Sequence, residues 1–125
     1  TWLRSLMGSY VSFEKVTEDA LRFTCSQLGL PLDDKTHRRV SDAYLCINPY
    51  RDTPEALRRL KEAGIPLGII SNGSHRSIDQ VVTNSEMKWA FDELISVEEL
   101  QVFKPHNRVY SLAENRMGHP RENIL

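Results

Sequence analysis

Ser71-Asn72-Gly73-Ser74 is a run of small hydrogen-bonding residues set between two apolar patterns. Ahead of it, Leu67 to Ile70 form a continuous apolar block of strand length. Behind it, Ile78, Val81 and Val82 recur with helical spacing. A strand therefore runs through this turn into a helix. Asn-Gly is also a favoured hairpin turn, but the pattern that follows does not alternate as a second strand would. At the carboxyl end of a parallel strand, the Ser71 hydroxyl, the Asn72 amide and free backbone N–H groups point into the crevice where open α/β sheets bind ligands. Gly73 lets the backbone come close to such a ligand. Donors of this kind suit an anion such as a carboxylate or a phosphate. The same small polar residues also cap helices, so an architectural role for the turn stays open.

The second chemical element is QVFKPHNRVY, Gln101 to Tyr110. Lys104 precedes a proline, which pushes it into extended backbone just ahead of a helix. It follows a second strand, so its ammonium lies at the same sheet edge as Ser71 and is placed to pair with a carboxylate there. The plainer alternative is a solvated loop lysine.

These residues need a scaffold, and the remaining patterns describe one. Phe13, Val16, Ala20, Phe23 and Gln27 step along one helix face, with Leu21, Cys25 and Leu28 beside them, up to Gly29. After Pro31, Asp33 or Asp34 offers an N-cap for a second helix marked by Val40, Ala43, Tyr44 and Ile47. No strand pattern occurs before Asn48, so residues 1–48 read as all-helical. Thr53 is expected to cap the next helix, with Pro54 at its first position, Leu57, Leu60 and Ala63 facing inward, and Gly64 ending it. Strands are expected at Leu67–Ile70 and Glu93–Val97, and helices at Ser74–Val82 and Asn107–Met117, the last closed by Gly118 and Pro120. Residues 49–125 thus alternate helix and strand as in a doubly wound, Rossmann-like parallel sheet covered on both faces.

The bulk properties narrow the function classes. The chain has 125 residues, 40% hydrophobic and 26% charged, as expected of an ordinary soluble domain. A formal net charge of −1 gives no electrostatic reason to expect nucleic acid or an anionic membrane as partner. No apolar run approaches the roughly 20 residues that span a bilayer. Cys25 and Cys46 read as reduced core thiols of a cytoplasmic protein. His37, His75, His106 and His119 lack metal-ligand spacing and read as surface residues. Trp2, Leu3, Leu6, Met7 and Tyr10 look like a helix in mid-course, and the final ENIL looks like the start of a buried strand. Both ends are therefore expected to lie inside a longer protein.

The order strand, Ser-Asn-Gly-Ser, about thirty residues, then Lys-Pro before a helix resembles two motifs of the haloacid dehalogenase superfamily. TWLRSLMGSYVSFEKVTEDALRFTCSQLGL, SNGSHRSID and VFKPHNRVY further resemble the L-2-haloacid dehalogenases, over essentially the whole chain. The resemblance implies part of a helical cap over residues 1–48 and part of an α/β hydrolase core over residues 49–125. It implies hydrolytic dehalogenation of L-2-haloalkanoic acids to D-2-hydroxy acids through an aspartyl ester, without metal or other cofactor, in a homodimer. Ser71 and Asn72 would hold the substrate carboxylate, with Asn72 also near the departing halide. Lys104 would pair with the nucleophilic aspartate, Tyr110 would support the site, and Phe13 would line an apolar wall. Core packing explains Phe13 equally well, since it lies in a helical apolar stripe.

The nucleophile itself is expected outside these residues. Asp19, Asp42, Asp52, Asp79 and Asp92 do not end apolar strands, and the 125 residues alone are expected to be inert. His106 stands where the family often has an acidic residue. Two alternatives use the same features. A superfamily phosphatase would bind a small phosphate monoester on the same donors, although such members more often carry Thr-Asn-Lys at the turn and Gly-Asp before the lysine. A helical interaction module over residues 1–48 would need no catalysis at all.

Overall fold

The computed structural model describes residues 1–125. Its first section is helical: α1 (Trp2–Leu6), α2 (Phe13–Gln27) and α3 (Asp34–Ala43), followed by a tight turn at Tyr44–Cys46. Local chemistry sets the helix starts. The Ser12 side chain accepts from the Lys15 N–H at 3.2 Å, and the Asp33 carboxylate from the Thr36 N–H at 2.6 Å. From residue 53 onward helix and strand alternate: α4 (Thr53–Glu62), β1 (Gly68–Ser71), α5 (His75–Asn84), β2 (Glu93–Ser96) and α6 (Asn107–Met117). Ser74 caps α5, accepting from the Ser77 N–H at 3.2 Å, and Gly118 ends α6 in the left-handed conformation at φ 67°.

β1 and β2 pair in parallel, Gly68 opposite Glu93 and Ser71 opposite Ser96, so both strands deliver their carboxyl ends at one level. Asp92 supports this register by accepting from the Leu67 N–H at 2.8 Å and from the Lys61 ammonium at 2.7 Å. The deepest side chains are Val97, Phe103 and Val109, contributed by the segment after β2 and by α6. Tyr10, from the helical section, stacks on Phe103 with ring centroids 5.0 Å apart. Ser5 Oγ accepts from the Phe103 N–H at 2.8 Å. The two sections are therefore fastened at the loop that carries Lys104.

Several local expectations change in the folded chain. His37 is buried at 5% exposure. α3 offers only Val40 and Ala43 as apolar side chains, so its packed face takes in polar ones, and His37 Nε2 and Ser41 Oγ are left unpaired there. Cys25 is half-buried and Cys46, in the turn after α3, is exposed, so both thiols are free but neither is a core residue. Thr53 is the first residue of α4 and the cap position falls to Asp52, whose side chain makes no capping bond. Leu60 and Ala63 of that helix are exposed. α1 ends at Leu6, leaving Tyr10 outside it, and Val40, Tyr44 and Ile47 are largely open to solvent. β1 lies one residue later than its apolar block and is only half-buried, because β2 flanks it on one side and its other edge is unpaired. Ile124 is extended but pairs with no strand.

Candidate active site

The turn after β1 is built by its own hydrogen bonds. Ser71, the last strand residue, accepts at Oγ from the Gly73 N–H at 3.1 Å. Gly73 is buried, and its carbonyl accepts from Ser96 Oγ at 2.7 Å, which ties the ends of the two strands together. Asn72 reaches the other loop: its Oδ1 accepts from the Lys104 backbone N–H at 2.9 Å. A backbone N–H only donates, so the amide oxygen must face it, and the Asn72 NH2 is turned away and free to donate elsewhere. The Lys104 side chain then folds back to the strand, donating from Nζ to the Ile70 carbonyl at 2.9 Å. An ammonium has three protons, so two remain for an anion beside the turn.

Asn72 and Lys104, 32 residues apart in the chain, are thus bonded to each other at the carboxyl end of β1, next to Ser71 and its bond to Gly73. The Lys104–Pro105 peptide is cis. Phe13 reaches this region from another direction. It lines a cleft of about 330 Å³ between the helical section and α5, together with Ser71, Gly73, Ser77 and Tyr44. Tyr110 is not drawn in to the same extent. It lies in the first turns of α6, 37% exposed, with its hydroxyl unbonded; like Asn72 and Lys104 it is off the wall of the cleft, which only Phe13 and Ser71 of the expected site residues line. His106, at the position of the expected acidic residue, caps α6 by accepting at Nδ1 from the Arg108 N–H at 3.2 Å.

The sequence reading missed Glu14. Its only signal was an acidic residue in the first turn of α2, a common placement that favours the helix dipole. In the structure Glu14 leans across to α5, where Oε1 accepts from the Ser77 hydroxyl at 2.6 Å and from the Ser74 N–H at 3.0 Å. Burial pushes its carboxyl up, but the bonds from Ser77 and Ser74 outweigh that and hold it below the ordinary value. Glu98 takes the next donor, the His75 N–H, at 3.3 Å. Tyr10 lies near both carboxylates; burial first, then the charges of Glu98 and Glu14, push its phenol up. Protein carboxylates thus take the Ser74 and His75 N–H groups at the amino end of α5, while the Asn72 NH2 and the Lys104 ammonium keep donors to spare.

Comparison with known proteins gives this arrangement a family. The haloacid dehalogenase-like hydrolase family matches residues 1–125. The chain is 77% identical over 125 residues to an (S)-2-haloacid dehalogenase of Pseudomonas putida, covering all of this chain and 55% of the relative. It is 43% identical over 124 residues to haloacetate dehalogenase H-2 of a Moraxella species, covering 99% of this chain and 55% of the relative. A solved structure of L-2-haloacid dehalogenase from Xanthobacter autotrophicus with chloropropionic acid covalently bound superposes at a TM-score of 0.87. That match has 38% identity and covers 95% of this chain and 48% of the other. The chain spans about half the length of the curated relatives it matches. With the family match running through every residue that builds the turn, the lysine loop and the helical section, the chain belongs to the haloacid dehalogenase-like hydrolases.

Proposed function

We propose that residues 1–125 form the substrate-holding part of an enzyme that hydrolyses L-2-haloalkanoic acids to D-2-hydroxy acids. The observation that carries the proposal is the bonded pair of Asn72 and Lys104 next to Ser71, with donors left over for an anion. Similarity to (S)-2-haloacid dehalogenases supports the choice of a 2-haloacid. In this reading residues 1–48 are part of a helical cap and residues 49–125 part of the α/β core. The Ser71 hydroxyl and Asn72 NH2 hold the substrate carboxylate, Phe13 covers the alkyl group, and Asn72 lies close to the leaving halogen.

An aspartate carboxylate from outside these residues attacks C2 from the side opposite the halogen. The C–halogen bond breaks, its electron pair leaves with the halide, and C2 inverts. Water then adds to the ester carbonyl, the D-hydroxy acid departs with its C2–O bond intact, and the aspartate is regenerated with release of a proton. Lys104 keeps that aspartate ionised through the opposite-charge effect on its pKa. Tyr110, whose hydroxyl is unbonded in these residues, would support the site from α6 in the complete enzyme. No metal enters these steps. The reading extends to a cytoplasmic homodimer: two free cysteines suit a reducing compartment, and Trp2, Leu3, Leu6 and Met7 offer exposed apolar surface.

The test is halide release by a full-length enzyme carrying residues 1–125. Suitable versions are the natural parent, or the Pseudomonas putida relative with its matching segment exchanged for this one. Turnover of L-2-chloropropionate but not the D isomer, undiminished by EDTA, is expected. Magnesium-dependent hydrolysis of a phosphate monoester, with no halide released, would replace the proposal by the phosphatase reading.

A further inference from the structure

We propose that Glu14 is a specificity-determining residue that excludes dianions from the Ser71–Asn72 site and so restricts it to monoanionic carboxylates. This deepens the dehalogenase reading and rests on it. The same strand–turn–helix geometry would otherwise suit a phosphate. A tetrahedral dianion needs more donors than a carboxylate, and the obvious additional ones are the N–H groups opening α5. Here three of the four are taken: Ser74 N–H donates to Glu14, His75 N–H to Glu98 and Ser77 N–H to Ser74 Oγ, and the Ser77 hydroxyl is also turned to Glu14.

Glu14 also acts through its charge. Glu14, Ser71 and Gly73 line the same cleft. A Cβ on Gly73 would lie 3.5 Å from Ser71 Oγ and 3.9 Å from Glu14 Oε1. An anion gripped by Ser71 therefore sits beside a carboxylate whose partners are hydrogen-bond donors and not cations. Coulomb repulsion scales with the charge of the incoming ion, so a dianion meets twice the opposition of a monoanion at the same distance. The Lys104 ammonium, bonded to Ile70 on the strand side, attracts a dianion twice as strongly by the same law, so the part of Glu14 is to cancel the gain that the second charge would otherwise bring. The donors at Ser77 and Ser74 outweigh the effect of burial and keep Glu14 in the ionised form that this selection requires.

The experiment compares acetate, a halogen-free monoanion, with sulfate, a dianion at any working pH, as competitive inhibitors of halide release at pH 8. It uses the full-length enzyme carrying residues 1–125. Glu14→Gln keeps an oxygen for Ser74 and Ser77 but removes the charge. The sulfate inhibition constant is expected to fall at least about tenfold relative to that of acetate, and further in Glu14→Ala, which also frees the Ser74 N–H. Ser77→Ala is the companion variant, because it removes a donor and retains the charge; it should keep sulfate excluded. The proposal is overturned if both inhibition constants shift by the same factor in Glu14→Gln, if neither shifts, or if Ser77→Ala admits sulfate equally well. Calorimetric titration of the two ions gives the same ratio without turnover. An enzyme that releases no halide would thus refute the dehalogenase reading while the anion preference is still measured.

Discussion

Replacing Asn72 by Ala and by Asp separates two duties that one side chain performs. The Asn72 oxygen holds the Lys104 backbone N–H at 2.9 Å, in a half-buried setting. In Asn72→Ala that N–H loses its partner. The net value of such a bond is about 0.5–1.5 kcal/mol, and a stranded donor adds about 1–3 kcal/mol where water cannot reach it. Partial exposure favours the lower part of that range, so a loss of about 1–2 kcal/mol is expected. In a protein roughly twice this length each kcal/mol moves the melting temperature by about 2–4 °C. Freeing the loop also displaces the ammonium, and a misplacement of about 1 Å costs on the order of a hundredfold in rate. Asn72→Asp behaves differently. Its carboxylate still accepts from Lys104, so the melting temperature should stay near wild type. It has no NH2 to donate and sets a negative charge beside the substrate carboxylate, so kcat/KM for L-2-chloropropionate should fall at least as far as in the Ala variant. The assays are a thermal melt and halide release on the same samples of the full-length enzyme. An Asp variant with wild-type kcat/KM would refute the substrate role of the amide. An Ala variant with an unchanged melt would refute the tether.

Further outcomes follow from other contacts. Lys104→Ala should reduce turnover by at least about a hundredfold, whereas an exposed loop lysine would cost less than about 0.5 kcal/mol; steady-state kinetics decides. Phe103 is fully buried under Tyr10, and Phe103→Ala should destabilise the fold by about 3–5 kcal/mol, read by urea unfolding. Glu14 has a depressed pKa in the fold, so the unfolded chain binds its proton first. Its contribution is fully present above the ordinary carboxylate range and is lost as pH falls through the folded value. The melting temperature of Glu14→Gln should therefore depend less steeply on pH below about 4.5 than wild type does; equal slopes would contradict the bonds to Ser74 and Ser77.

Much of the backbone was legible one segment at a time, because turns, caps and apolar periods act over a few residues. Asn107–Met117 with Gly118 behind it, the Ser74 cap of α5 and the strand at Glu93 all follow from such local rules. The Ser71–Asn72 turn was equally visible, since a strand that ends in small donors before a helix is a pattern in the chain itself. The sequence also supports an anion at that turn through residue type alone. What no local rule contains is distance between segments. The bond from Lys104 to Asn72 and the lean of Glu14 onto Ser74 and Ser77, 60 or more residues away, exist only after β1 and β2 align and α2 packs beside α5. Burial is decided at the same level. His37 is covered because packing with few apolar side chains on α3 leaves it inside, and Leu60 is exposed because no neighbouring element in this chain covers its side of α4. Sequence period says which residues share a face; tertiary packing alone says what that face meets.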